Sequence, residues 1–179
     1  ALTSTVGQVA NKKSVSVARL YMYESATANP STTSASGVAS GFLITDTDES
    51  GTAQRYLLPN AHCVRYVKKT RTGLSPFGSS YEYVWTSYGK IICTFEDSET
   101  SYYELEIVAY GSYNDENKSA ENDQADVALL RIKGTQPSNE AHPSLKIASS
   151  DYTKRGDAVA LIGNPEGVGE TNSVTTGTV

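Results

Sequence analysis

The stretch from Ser40 to Val64, SGFLITDTDESGTAQRYLLPNAHCV, holds two short apolar runs, Gly41 to Thr45 and Tyr56 to Leu58, on either side of the polar segment Asp46 to Arg55. Apolar runs of this length bounded by Gly, Asp and Ser predict strands, and the polar segment between them predicts the tip of a hairpin. The tip has calcium-loop features at Asp46, Asp48, Ser50 and Gly51, but the twelfth position, which needs a bidentate Glu, is Leu57. A hairpin tip is therefore the reading, not a metal site. The second strand runs into Pro59-Asn60-Ala61-His62-Cys63. A histidine directly after a strand is carried by a rigid element yet sits at its exposed end, where an imidazole reaches substrate. Judged alone, such a histidine is more often a surface or capping residue.

Outward from this hairpin the same texture continues. Val15 to Tyr23, Tyr81 to Tyr88, Lys90 to Phe95, Tyr103 to Tyr110, Val127 to Ile132 and Ala158 to Ile162 are short and rich in Val, Ile, Tyr, Thr or Leu. The segments between them carry Gly, Pro, Asn, Asp and Ser, and no apolar stripe at helical spacing persists for 11 residues. Regularly spaced short strands with polar turns predict an all-β sandwich or barrel. Three connections look long or special. Ser25 to Ser40 is small and polar and reads as a loop within the first lobe. Ser112 to Ala125 is acidic, reads as a solvated loop, and contains the sequon Asn117-Lys118-Ser119. Gly134 to Ser144, with His142 taken as a surface residue, is a candidate linker and places a lobe boundary.

The chain has 179 residues, with 15 basic against 20 acidic side chains and a net charge of -5. That length buries a real core without disulfides or a structural metal, and the acidic balance argues against a nucleic-acid binder. No apolar run approaches the roughly 18 to 20 residues that span a bilayer. The two cysteines, Cys63 and Cys93, are too sparse for a disulfide framework or a zinc site, and no cofactor is expected. Abundant Ser, Thr, Asn and Tyr lean towards a secreted or cell-envelope protein. Gly163 to Gly169 is glycine-rich but lacks a phosphate-binding signature. Arg65 to Arg71 (RYVKKTR) is a basic run read as a solvated loop at the rim of a cleft.

A second element bears on His62. Gln124-Ala125-Asp126-Val127-Ala128-Leu129-Leu130 sets one carboxylate immediately before a strongly apolar strand, at the mouth of a core. A part-buried carboxylate needs a hydrogen-bond donor, and a histidine Nδ1–H is a good one. Asp126 alone reads equally well as a turn residue.

Together these segments resemble the trypsin-like serine proteases, particularly the bacterial high-temperature-requirement branch. The resemblance rests on Ser40-Gly41-Phe42-Leu43-Ile44, on Pro59-Asn60-Ala61-His62-Cys63-Val64, and on Asp126-Val127-Ala128-Leu129-Leu130-Arg131. A further block, Arg155-Gly156-Asp157-Ala158-Val159-Ala160-Leu161-Ile162-Gly163-Asn164-Pro165 continuing to Val179, follows in the family's order. The resemblance implies two six-stranded antiparallel β-barrels with the site in the crevice between them, the second barrel incomplete in this chain. It implies a first lobe over 1–133, a linker over 134–146 and the start of a second lobe over 147–179. It also implies that His62 is the general base and Asp126 the residue that orients it, with a protein or peptide as substrate.

The family's nucleophile lies in Gly-Asp/Asn-Ser-Gly-Gly, and no such run occurs here. Two expectations follow: a serine endopeptidase completed by a C-terminal chain or fragment that brings the serine and the oxyanion hole, or an inactive protease-like domain that binds peptide in the cleft. Cys63 is not expected to replace the serine, because consecutive residues of an extended chain point to opposite faces. If Cys63 forms a disulfide, Cys93 is its only possible partner.

Overall fold

A computed structural model describes residues 5–31, 34–95, 98–111, 125–164 and 172–179. The sequon, most of the acidic loop and most of the glycine-rich run lie outside the described residues.

Six antiparallel strands close into a barrel: β1 (Val17–Tyr23), β2 (Gly37–Thr47), β3 (Ala53–Leu58), β6 (Lys90–Phe95), β7 (Ser98–Tyr110) and β8 (Ala128–Ile132), in the spatial order β1-β2-β3-β8-β7-β6. Closure removes the unpaired edges that an open sheet would expose. The barrel fills with alternate residues of every strand, among them Leu20, Leu43, Leu57, Ile91, Phe95, Leu105 and Leu130, all at most 4% exposed. Alternation fails instructively on β1, where every residue is buried. Its inward face (Ala18, Leu20, Met22) lines the core, while Tyr21 and Tyr23 on the other face form a second cluster with Ile92, Ala28 and Ala35. The loop before β2 therefore lies over the barrel wall. Tyr23 pins it, donating to the Ser31 carbonyl at 2.7 Å and accepting from the Ser31 amide at 3.1 Å.

The quoted stretch forms the β2–β3 hairpin, with Phe42 opposite Leu58 and Thr47 opposite Ala53. At its tip Asp48 accepts from the amides of Ser50 and Thr52 and from the Gln54 side chain, so the turn's own donors occupy this carboxylate.

Among the described residues, two ribbons and a helix lie outside the barrel. β4 (Arg65–Ser75) pairs with β5 (Gly78–Ser87), and β9 (Ala158–Gly163) with β10 (Ser173–Thr178), each as a two-stranded sheet among the described residues. α1 (Val6–Lys13) packs against β9 and β10. Its start is a capping box: the Gln8 amide donates to Thr5 Oγ1 at 3.2 Å and the Thr5 amide to Gln8 Oε1 at 3.0 Å. The sequence reading missed this helix because eight residues with one buried side chain, Ala10, leave no apolar stripe.

Two expectations are corrected. The basic run Arg65 to Arg71 is not a loop but most of strand β4, which no alternation betrayed because neither face of the ribbon is buried. His142 is not a surface residue: it is 5% exposed, its ring stacks on Phe95 at 4.2 Å, and Nδ1–H donates to the Val15 carbonyl at 2.7 Å. The same segment is strapped to the barrel elsewhere. Buried Arg55 donates to the carbonyls of Pro137 and His142, and the Leu145 amide donates to the Leu43 carbonyl at 2.7 Å.

Candidate active site

β3 and β8 are antiparallel neighbours, with Tyr56 opposite Arg131 and Leu57 opposite Leu130. The C-terminal end of β3 and the N-terminal start of β8 therefore meet at one rim of the barrel, sealed by the Ala128 amide donating to the Pro59 carbonyl at 2.9 Å. This puts Asn60-Ala61-His62 beside Asp126, although 64 residues separate the histidine from the aspartate. Beyond β3 the chain turns into a short 3-10 segment, Ala61–Val64, anchored by the buried Ala61 and Val64, which leaves His62 facing outward.

His62 Nδ1 and Asp126 Oδ2 are 2.6 Å apart, and the His62 amide donates to Asp126 Oδ1 at 2.9 Å. Each carboxylate oxygen thus holds the histidine, one through its ring and one through its backbone, and rotation of either group is blocked. Asn60 adds Nδ2 contacts to the Asp126 carbonyl at 3.1 Å and to Oδ2 at 3.3 Å. The sequence reading gave Asn60 no role. The signal was its place just before the turn, where a short amide side chain bonds locally. Burial alone pushes the Asp126 carboxyl up, but the His62 amide, the imidazole and Asn60 outweigh it and hold it below its ordinary value of 3.8. Asp126 is thus an anion at neutral pH, and with Nδ1–H directed to it, Nε2 carries the lone pair that takes a proton. The side chains are 49% exposed for His62 and 28% for Asp126, so the imidazole is held from behind and open in front.

Cys63 departs from the expectation that it faces away. A 3-10 segment turns about 120° per residue, unlike the 180° of extended chain, and Cys63 Sγ lies 3.4 Å from His62 Nε2. Burial, helped by the nearby Asp126 charge, pushes the Cys63 thiol up, so it stays protonated and is a weak donor to Nε2, not a thiolate nucleophile. Cys63 and Cys93 are both free thiols, Cys93 inside the barrel with burial pushing it far above the usual thiol range.

Beside the histidine turn, a cavity of about 560 Å³ opens between the barrel and the β9–β10 ribbon, lined by Ser40, Phe42, Asn60, Leu161 and Asn164 among others. A buried amide network fixes the ribbon there. Asn164 Nδ2 donates to Asn172 Oδ1 at 2.9 Å, and Asn172 Nδ2 donates to the carbonyls of Ser14 and Val17. Asn164 also accepts from Arg19 at 3.2 Å, and its amide donates to Ser40 Oγ at 2.6 Å. Among the described residues no group of three or more His, Cys, Asp or Glu side chains is placed to hold a metal ion.

A closed six-stranded barrel with a rim-mounted His–Asp pair and a second ribbon across a crevice defines a class, and comparison agrees with it. A family profile described as trypsin-like peptidase domain matches residues 39–179. The chain belongs to the trypsin-like peptidase family. No curated protein matches the sequence significantly.

Proposed function

We propose that this protein is a serine endopeptidase in which His62 is the general base, Asp126 orients it, and a further polypeptide segment supplies the serine and the oxyanion hole. The observation that carries the reading is the double tether of His62 to one carboxylate, at 2.6 and 2.9 Å. It fixes the tautomer in which Nε2 accepts, as the reaction requires. In that reaction Nε2 takes the proton from the serine hydroxyl as its oxygen attacks the peptide carbonyl. It returns the proton to the amine that leaves, and then activates the water that hydrolyses the acyl-enzyme.

Two facts support a separate serine-bearing segment. The sequence has no Gly-Asp/Asn-Ser-Gly-Gly run, and the second ribbon and its approach expose Leu161 (74%), Ile147 (68%) and Val159 (38%). On this reading residues 1–133 form the first lobe, 134–146 the connection and 147–179 the first part of the second lobe.

Peptide hydrolysis by the assembled protein is the test. His62→Ala is expected to abolish it while leaving the thermal midpoint within a few degrees of wild type. Activity that survives His62→Ala refutes the assignment. Peptide binding without turnover in wild type favours a protease-like binding domain.

A further inference from the structure

The β4–β5 ribbon carries none of the side chains of the His62–Asp126 site. Rooted beside the histidine turn by the Tyr66–Tyr88 ring pair at 4.8 Å, it leaves the barrel, and from Val67 to Val84 every residue except Gly73 and Ser79 is exposed. An isolated two-stranded ribbon is marginal in water, so this one needs either its own side-chain ladder or something to lie against. Its tip is apolar. Phe77 is 100% exposed, the highest value among the described large apolar side chains, and Leu74 is 73% exposed. The turn is built to hold them outward: Ser75 Oγ accepts from the Phe77 amide and donates to the Gly78 carbonyl, and Gly78 takes a φ of 135°.

Behind the tip the register places Lys69 opposite Tyr83 and Arg71 opposite Tyr81, so cations and phenols alternate on one face, with Lys69 Nζ 4.0 Å from the Tyr81 ring centre. From Arg65 to Ser87 the ribbon carries four basic side chains against one acidic, in a chain whose net charge is -5.

We propose that this ribbon docks the protein on an anionic lipid surface, with Phe77 and Leu74 entering the acyl boundary and Lys69, Arg71 and the two tyrosines at headgroup level. The dimensions agree. Four residues of strand separate Phe77 from Tyr81, about 13 Å at ~3.3 Å per residue, while interfacial apolar groups enter about 5 to 10 Å. The basic side chains then meet the phosphates, and tyrosine rings, apolar at the base and polar at the hydroxyl, suit the boundary. A lipid surface fits better than an acidic polypeptide because the most exposed apolar groups project at the extreme end, ahead of the charges, where a flat charged partner gives them nothing to enter.

The test is binding of the purified protein to phosphatidylcholine vesicles with and without 30% phosphatidylglycerol, a composition chosen for the experiment. Binding to the anionic vesicles is expected to weaken on the order of a hundredfold in Leu74→Ser/Phe77→Ser, and about thirtyfold at low salt in Lys69→Gln/Arg71→Gln. Both variants alter exposed side chains only and should keep the wild-type thermal midpoint. In a Trp85→Phe/Phe77→Trp protein, brominated lipids should quench the tip tryptophan, whereas wild-type Trp85, at the base of the ribbon, should be unaffected. The proposal is overturned by equal binding to neutral vesicles, by binding that survives the tip variant, or by an unquenched tip. Tighter binding to polyglutamate than to vesicles, or self-association lost in the same tip variant, overturns it in favour of a protein partner.

Discussion

At the scale of single residues, the orientation of His62 depends on one carboxylate. Asp126→Asn keeps the shape but offers an amide where Nδ1–H needs an acceptor, so the wrong tautomer competes. Peptidase activity of the assembled protein should fall about ten-thousandfold, the loss this change gives in a Ser-His-Asp triad. The same residue sets a pH dependence of stability. Its folded pKa is depressed below the ordinary 3.8, so its bonds to His62 stabilise the fold above that value and the contribution fades as pH falls through the folded pKa. Urea midpoints of wild type and Asp126→Asn should differ at pH 7 and converge in acid below about pH 4; a gap that widens in acid would contradict the sign. His62 and Asp126 were legible because each abuts an apolar strand. His142 was not, since a histidine before Pro143 in a polar segment carries no trace in sequence of the Phe95 ring it stacks on. Cys63 was misjudged for a related reason: its direction depends on whether the turn is extended or 3-10, and Ala61 to Val64 has no strong preference for either.

At the scale of elements, the crevice is held by side-chain amides. Asn172 has a φ of 56°, in the left-handed region that Asn tolerates better than most residues, and is 8% exposed. Asn172→Ala strands the carbonyls of Ser14 and Val17 and strains the backbone, and should cost about 2–4 kcal/mol by urea unfolding. Asn172→Gly relieves only the strain and should recover part of that loss. Recovery to wild type would mean the amide bonds contribute nothing. The strands of the barrel were legible from their apolar runs, usually within a few residues: Lys90 to Phe95 was read with the observed bounds, while β2 begins at Gly37, not Gly41. β4 was invisible because a ribbon exposed on both faces has no reason to alternate polar with apolar. The amide network was equally silent, since it joins residues as far apart as Ser14 and Asn172.

At the scale of the molecule, the motifs stand in the family's order in the sequence, and the fold gathers the middle of β2, the end of β3, the start of β8 and the end of β9 around one crevice. What they leave open is the far wall of that crevice. If a further segment covers the β9–β10 ribbon, Leu161 is part of the joint. Leu161→Lys should then leave the unfolding free energy within about 0.5 kcal/mol, as exposed substitutions do, yet prevent assembly and with it peptidase activity. Normal activity in this variant would place the proposed serine-bearing segment elsewhere. The most direct measurement is labelling of the protein from its native source with a serine-directed phosphonate, read by intact mass and peptide mapping. One adduct is expected, on a serine outside these 179 residues, formed far more slowly in His62→Ala and Asp126→Asn. An adduct that forms at the same rate without His62, or peptide hydrolysis by a protein that takes no adduct, would contradict it.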